Sequence, residues 1–340
     1  MSRTTAISLI VFTASFTTVL HHVPAADLSN RSDSWFATDE GRTTMECILS
    51  WQSVHGDWPK NTDTTKPYLG DRDDIKGTFD NGATTGELRT LARAFATTGD
   101  QHYEKAFLKG LDHILSAQYD NGGWPQNFPL RSGYSTHITF NDDCMVRLME
   151  FLREAATQNE YAFLDSDRRA AASAAIERGV DCILKCQIVV RGVPLVWCAQ
   201  HDEFTLAPTS ARSYELASLS GAESVGILKY LMSIDNPTAE IVRAVKSGIA
   251  WFESVKIEGI RVEKVDGDSQ VIKDESASPL WARFYEIETN RPFFCDRDGV
   301  RKYDLKDIGS ERRNGYGWYS DRGRSLPELV ANWPYRGTTP

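Results

Sequence analysis

Neither a C-x-x-C pair nor an H-x-x-x-H cluster occurs in the 340 residues, so the spacings of a local zinc site are missing and zinc drops out of the leading expectations. Cysteine is also scarce. The six residues are few for this length: Cys182 and Cys186 lie four apart in a helical run, and Cys47 and Cys144 fall in apolar helical contexts. They read as buried thiols rather than a disulfide framework, with one bridge left open. A basic surplus is lacking too, since the formal charge is -9, which argues against nucleic acid as the main partner. A polyanionic ligand stays open wherever local arginines or a bound cation reverse the field inside a groove. The apolar run from Ala6 to Leu20 is too short to span a bilayer. With Arg3 before it and Val23-Pro24-Ala25-Ala26 after it, residues 1–26 read as a secretory signal, leaving an exported, soluble chain with no membrane partner. No interior linker divides residues 27–340, and a hydrophobic content of 41% is ample for a core.

What is present is organised around Thr78 to Phe95. Thr84 and Glu87 form a T-x-x-E capping box, and Leu88, Leu91, Ala92 and Phe95 repeat at helical spacing, which predicts a helix. Asp80, Asn81 and Gly82 stand just upstream with no capping duty. They fit an Asn-Gly turn entering the helix, or an acid and an amide presented from a loop. A partner helix is predicted over Asp100 to Gln118, joined through Thr97-Thr98-Gly99.

The pattern then recurs. G-D-W-P-K-N at 56–61 is echoed by N-G-G-W-P-Q-N at 121–127, and F-N-D-D-C at 140–144 precedes a helix bearing Met145, Leu148, Met149 and Leu152, with a return helix from Asp165 to Val189. A third, more divergent unit runs through S-A-R-S-Y-E, a second capping box of Ser220 with Glu223, and a return helix from Thr238 to Val255. An opening helix over Ser32–Ser53, a hairpin in I-E-G-I-R-V-E-K-V and a short helix from Pro279 to Glu288 complete the elements. Helical hairpins in series with long polar loops at one end predict an all-α (α/α) toroid, its loops forming a groove, with minor β-hairpins; a solenoid is the alternative.

Asn141, Asp142 and Asp143 stand where Asp80 and Asn81 stand in the first unit. One of the aspartates can cap its helix; otherwise the oxygen set suits a hard cation such as calcium. Arg212 occupies the matching loop of the third unit, and Arg283, Arg291 and Arg297 add fixed positive charge suited to carboxylates, or else pair with Asp296, Asp298 and Glu288. Trp58, Trp124, Trp197 and Trp281 either stack on flat rings or pack at loop-to-helix junctions. His201, Asp202 and Glu203 imitate an acid-base cluster, for which a structural role is favoured.

Taken together, G-D-W-P-K-N, F-D-N-G-A-T-T, G-G-W-P-Q-N-F-P, H-I-T-F-N-D-D, W-C-A-Q-H-D, S-A-R-S-Y-E, P-L-W-A-R-F-Y and F-C-D-R-D-G closely resemble the family 10 pectate lyases, over about Trp51 to Tyr335. The resemblance implies a single catalytic domain over 27–340, calcium dependence and β-elimination of polygalacturonate. It further implies that Asp80, Asn81 and Asp142 serve the metal and the substrate, that Arg212 abstracts the proton, and that Arg283 and Arg297 bind substrate, with Lys60 a further carboxylate contact. A secreted monomer acting on oligogalacturonates is expected. The alternatives are an α-toroid glycoside hydrolase acting on an acidic polysaccharide and a non-catalytic pectin-binding protein.

Overall fold

The computed structural model describes residues 28–337; the expected signal segment lies outside the described residues. Helix α1 (Asp39–Ser50) is followed by three hairpins: α2 (Thr85–Thr98) with α3 (Gln101–Ser116), α4 (Cys144–Thr157) with α5 (Ser166–Cys186), and α6 (Glu223–Met232) with α7 (Ala239–Ser254). Short helices α8 (Ser310–Gly315) and α9 (Leu326–Asn332) come last. Helices α2, α4 and α6 touch in succession and α6 meets α9, while α3 touches α5 and α5 touches α7. Burial separates the two layers: α6 is enclosed along nearly its whole length, whereas α5 keeps an exposed polar side. The result is the expected helical toroid, with the N-termini of the inner helices α2, α4 and α6 all fed by the long loops.

The start signals act largely as predicted. Glu87 reaches back to the Thr84 N–H at 2.9 Å, Asp100 accepts from His102 N at the head of α3, and Asp165 accepts from Arg168 N in the first turn of α5. Gly99 ends α2 in the left-handed region at φ 70°. Three expectations are corrected. The opening helix is broken at Thr38, whose extended backbone separates a 3₁₀ turn (Asp33–Ala37) from α1 and whose hydroxyl caps Gly41 N at 3.0 Å. Pro279 to Glu288 is not a helix: Trp281–Ala282 pairs with Tyr319–Ser320, and Phe284–Tyr285 pairs with Leu219–Ser220, as suits a run dense in aromatics. At Ser220 the carboxylate of Glu223 bonds the serine hydroxyl rather than the Ser220 N–H, which goes to Trp197 O, so the second capping box is only half formed. The expected hairpin is present as Ile260–Val265 against Asp268–Lys273.

The tryptophans expose a regularity that the uneven loops conceal. Trp58, Trp124 and Trp197 are 0% exposed and Trp281 2%, so none is available to a sugar. Each donates its indole N–H to a carbonyl in the last turn of the preceding outer helix: Ile48 in α1 (2.8 Å), Ile114 in α3 (2.9 Å), Ile183 in α5 (2.7 Å) and Phe252 in α7 (2.9 Å). Ile48 O and Ile114 O also accept the N–H of Trp51 (3.2 Å) and Ala117 (3.3 Å), and the indoles add a shorter bond at these frayed helix ends. Gln52, Gln118 and Gln187 likewise each bridge their own loop to the next outer helix, reaching Ala106 O, Ala175 O and Ala244 O. Small residues let the two layers close: a Cβ on Gly110, Gly179 or Gly248 would meet Leu88 at 2.6 Å, Met149 at 2.9 Å or Leu228 at 2.8 Å. The tryptophan contact thus recurs at four junctions and the glutamine and glycine contacts at the first three. Trp124→Phe is expected to lower stability by about 1–3 kcal/mol, because Ile114 O loses the shorter of its two donors and the smaller ring leaves a gap in the core. Ligand affinity should be unchanged; weaker binding at an unchanged melting temperature would refute the structural role.

All six cysteines are free and buried. A second, smaller core of Tyr214, Phe284, Phe293, Phe294, Cys295, Leu305, Ile308 and Trp318 lies under the C-terminal loops and carries Tyr316 at its edge.

Candidate active site

Two inner helices are entered through strained backbone. Asn81 (φ 55°) and Thr84 (φ 70°) precede α2, and Asp142 (φ 51°) and Asp143 (φ 60°) precede α4. Left-handed asparagine and aspartate are tolerated; a β-branched threonine there is held by its surroundings. The Thr84 hydroxyl donates to Thr78 O and accepts from Trp58 N, which locks the turn beneath Asp80.

Asp80 is buried, and its Oδ2 accepts from Lys60 Nζ and from Gln126 Nε2 (2.7 Å). Its Oδ1 is enclosed with no hydrogen-bond partner. The Asp80–Gly82 and Asn141–Asp143 turns pack on one another. The Cys144 thiol senses both: burial pushes its pKa up, and the carboxylates of Asp80 and Asp142 push it further.

Asp142 and Asp143 do not cap α4. Asp142 Oδ2 accepts from Asn141 Nδ2 at 2.7 Å and its Oδ1 faces Arg283 Nη2 at 3.4 Å, while Asp143 Oδ2 accepts from Arg322 at 2.6 Å. Left-handed backbone at both residues turns their side chains from the helix start toward Arg283 and Arg322, which come from the C-terminal loops that follow α7. Arg283 Nη2 also donates to Asn141 Oδ1 (2.9 Å) and Glu223 Oε1 (2.5 Å), and its Nε remains buried without a partner. Burial opposes the charge on Arg283, but Glu223 and Asp142 outweigh it and hold the guanidinium pKa above its ordinary value.

The network continues through Tyr316. Its ring lies 4.8 Å from the Arg283 guanidinium and 5.6 Å from that of Arg212, and its hydroxyl donates to Glu215 Oε1 at 2.6 Å. Glu215 in turn holds Arg212 in a bidentate pair, at 2.6 Å from Nε and 2.5 Å from Nη2. Burial works against the charge on Arg212, yet the Glu215 bonds prevail and raise its pKa. Burial likewise favours a neutral Glu215, and its bonds from Arg212 and Tyr316 keep it ionised. Arg212 also lies 5.0 Å from the Tyr214 ring, which Arg297 (5.6 Å) and Arg312 (4.6 Å) share. Arg297, 63% exposed in its side chain, pairs with Glu311 on the rim.

The structure thus brings Asp80, Asn81, Asp142, Arg212, Arg283, Arg297 and Lys60 to one loop face. Arg291 stays apart, stacked 3.4 Å over Tyr303. The expected partners Asp296, Asp298 and Glu288 do not pair with these arginines; Glu215, Glu223 and Glu311 do. His201 is also separate: it is buried between Cys198 N and Leu206 O, its pKa lowered by burial to about 4.

Gln126, Glu215, Glu223, Tyr316 and Arg322 were not singled out from sequence as site residues. Gln126 and Glu215 lie inside the quoted motifs, Glu215 at R-x-x-E spacing from Arg212, whereas nothing local marks Tyr316.

No curated protein matches the chain significantly. The family model for pectic acid lyase matches residues 52–326. The solved structure of a family 10 polysaccharide lyase from Cellvibrio cellulosa is 36% identical, with a TM-score of 0.80 over 92% of this chain and 99% of that one. An aspartate-to-alanine mutant of the family 10 enzyme from the same organism, solved in complex with trigalacturonic acid, is 37% identical, with a TM-score of 0.81 over 89% of this chain and 95% of that one. Sequence match, fold and a loop face crowded with arginines agree that this chain belongs to the pectic acid lyases, the family 10 polysaccharide lyases.

Proposed function

We propose that the chain cleaves α-1,4-linked polygalacturonate by β-elimination, with calcium held by Asp80, Asn81 and Asp142 and with Arg212 as the base. The observation that carries this reading is the buried, partnerless Asp80 Oδ1 beside the Asn141–Asp143 turn, whose aspartates meet Arg283 and Arg322, in a chain of net charge -9. The donor set consists of oxygens only, as calcium requires. When bound there, calcium would neutralise the substrate carboxylate on which charge develops.

The chain's own residues account for the remainder. Arg283 and Arg297 would seat uronate carboxylates along the groove, and the unpaired Arg283 Nε–H is a donor in search of an acceptor. Arg212 would take the C5 proton. The C5–H electrons form the C4–C5 double bond, the C4–O bond breaks, and the departing glycosidic oxygen acquires a proton. A guanidinium is ordinarily charged, and Glu215 keeps Arg212 so at rest. Arg297, Arg312 and Arg283 around Tyr214 and Tyr316 press the other way.

The hydrolase alternative needs a carboxyl held protonated as general acid, and at Glu215 the bonds from Arg212 and Tyr316 pull the pKa the other way, below its ordinary value. Export as a soluble monomer completes the proposal; among the described residues no helix is long and apolar enough to cross a membrane. Incubation with polygalacturonate is expected to release unsaturated products that absorb in the ultraviolet. Saturated ends would indicate hydrolysis, and an unchanged polymer a binding protein.

A further inference from the structure

We propose that His137, Asp202 and Glu203 form a second metal site, apart from the galacturonate site, that takes a first-row transition ion such as zinc rather than calcium. Sequence spacing hides it, because the histidine is far from the two acids along the chain. The short antiparallel ribbon Ile138↔His201, Thr139↔Gln200 makes them neighbours: one rung further, His137 faces Asp202. One ligand atom from each of the three residues lies within 4.8 Å of the others, and His137 Nδ1 is 2.8 Å from Glu203 Oε2. Bonds of ~2.0–2.2 Å from one ion require donor atoms roughly 3–3.5 Å apart, so small side-chain rotations suffice.

The cluster is held from several sides. Asp202 Oδ1 accepts from Phe204 N (3.1 Å), Thr205 N (2.7 Å) and Thr205 Oγ1 (2.8 Å), which fixes the carboxylate and leaves Oδ2 to a ligand. Asn121 anchors Glu203 O at 2.7 Å, and Tyr119 anchors the carbonyl of Thr136 at 2.5 Å. One imidazole with two carboxylates favours a borderline ion over calcium, which prefers oxygen throughout, and three protein ligands leave a fourth position to water. Since the ribbon runs directly into Phe140 and Asn141, whose N–H groups both bond Ala199 O, an ion here would staple the base of the Asp142 turn. Its effect is on stability, not on the chemical step.

The test is zinc titration of the intact protein by calorimetry in excess calcium, together with thermal unfolding. The wild type is expected to take up one zinc equivalent with proton release and to melt at higher temperature. His137→Ala and Glu203→Gln, made separately so that one misfolded variant does not decide the matter, should each weaken zinc uptake at least tenfold and abolish the melting shift while retaining polygalacturonate cleavage. No zinc uptake by the wild type, or equal uptake by both variants, overturns the proposal and leaves an ion pair only. Because the readout is zinc affinity, either outcome is independent of the lyase reading.

Discussion

Arg212→Ala is expected to lower kcat on polygalacturonate by on the order of a thousandfold or more while trigalacturonate binding stays within about threefold of wild type. Removal of the guanidinium leaves Glu215 buried with Tyr316 as its remaining side-chain partner, so some loss of stability accompanies the loss of turnover. The double variant Arg212→Ala, Glu215→Gln removes that uncompensated charge. It should recover stability and not activity, which separates the two effects. Glu215 also governs the pH profile. Its bonds raise the Arg212 pKa, so over the ordinary range the base is almost wholly protonated and kcat should climb roughly tenfold per pH unit. With Glu215→Gln the pKa falls, the neutral fraction at a given pH grows, and the alkaline limb should move to lower pH. An unmoved limb would mean that another group titrates.

Asp80→Asn is expected to lower kcat/KM by about a hundredfold or more at limiting calcium, with partial recovery as calcium is raised. The substitution keeps the shape of the side chain. It removes the charge that would hold the ion and that now receives Lys60, and it leaves Gln126 with an acceptor of reduced strength. Equilibrium dialysis should show weaker calcium binding in the variant, and a chelator should bring the wild type to the same activity. Undiminished turnover of Asp80→Asn in chelator would remove Asp80 from the metal site.

Much of this was legible because local signals and global fold agree at the inner helices. Leu88, Leu91, Ala92 and Phe95 have the period of a buried face, and Glu87 at N3 marks where the helix begins, so Asp80 and Asn81 stood out as polar residues with nothing local to do. For Asp142 and Asp143 the sequence left a helix cap open beside an oxygen site, since a cap is the default for an aspartate at a helix start and only the left-handed backbone there excludes it. The tryptophans could not be assigned from sequence: an indole at a loop-to-helix junction can face either way, and the partner carbonyl lies on an earlier helix. Aromatic density in P-L-W-A-R-F-Y signals strand as well as helix, and pairing with Leu219–Ser220 and Tyr319–Ser320, both distant in sequence, decided it. Tyr316, the ring shared by Arg212 and Arg283, and His137, opposite Asp202, are set by long-range contacts alone.

The central claim is that loops from three successive units meet on one uronate unit. The most direct test is the structure of Arg212→Ala crystallised with trigalacturonate and calcium. The account predicts one sugar whose carboxylate meets an ion held by Asp80 and Asp142, whose neighbouring carboxylate meets Arg283, and whose C5 faces the space vacated at position 212. A sugar chain bound away from that space, or an ion with neither aspartate in its shell, would contradict it.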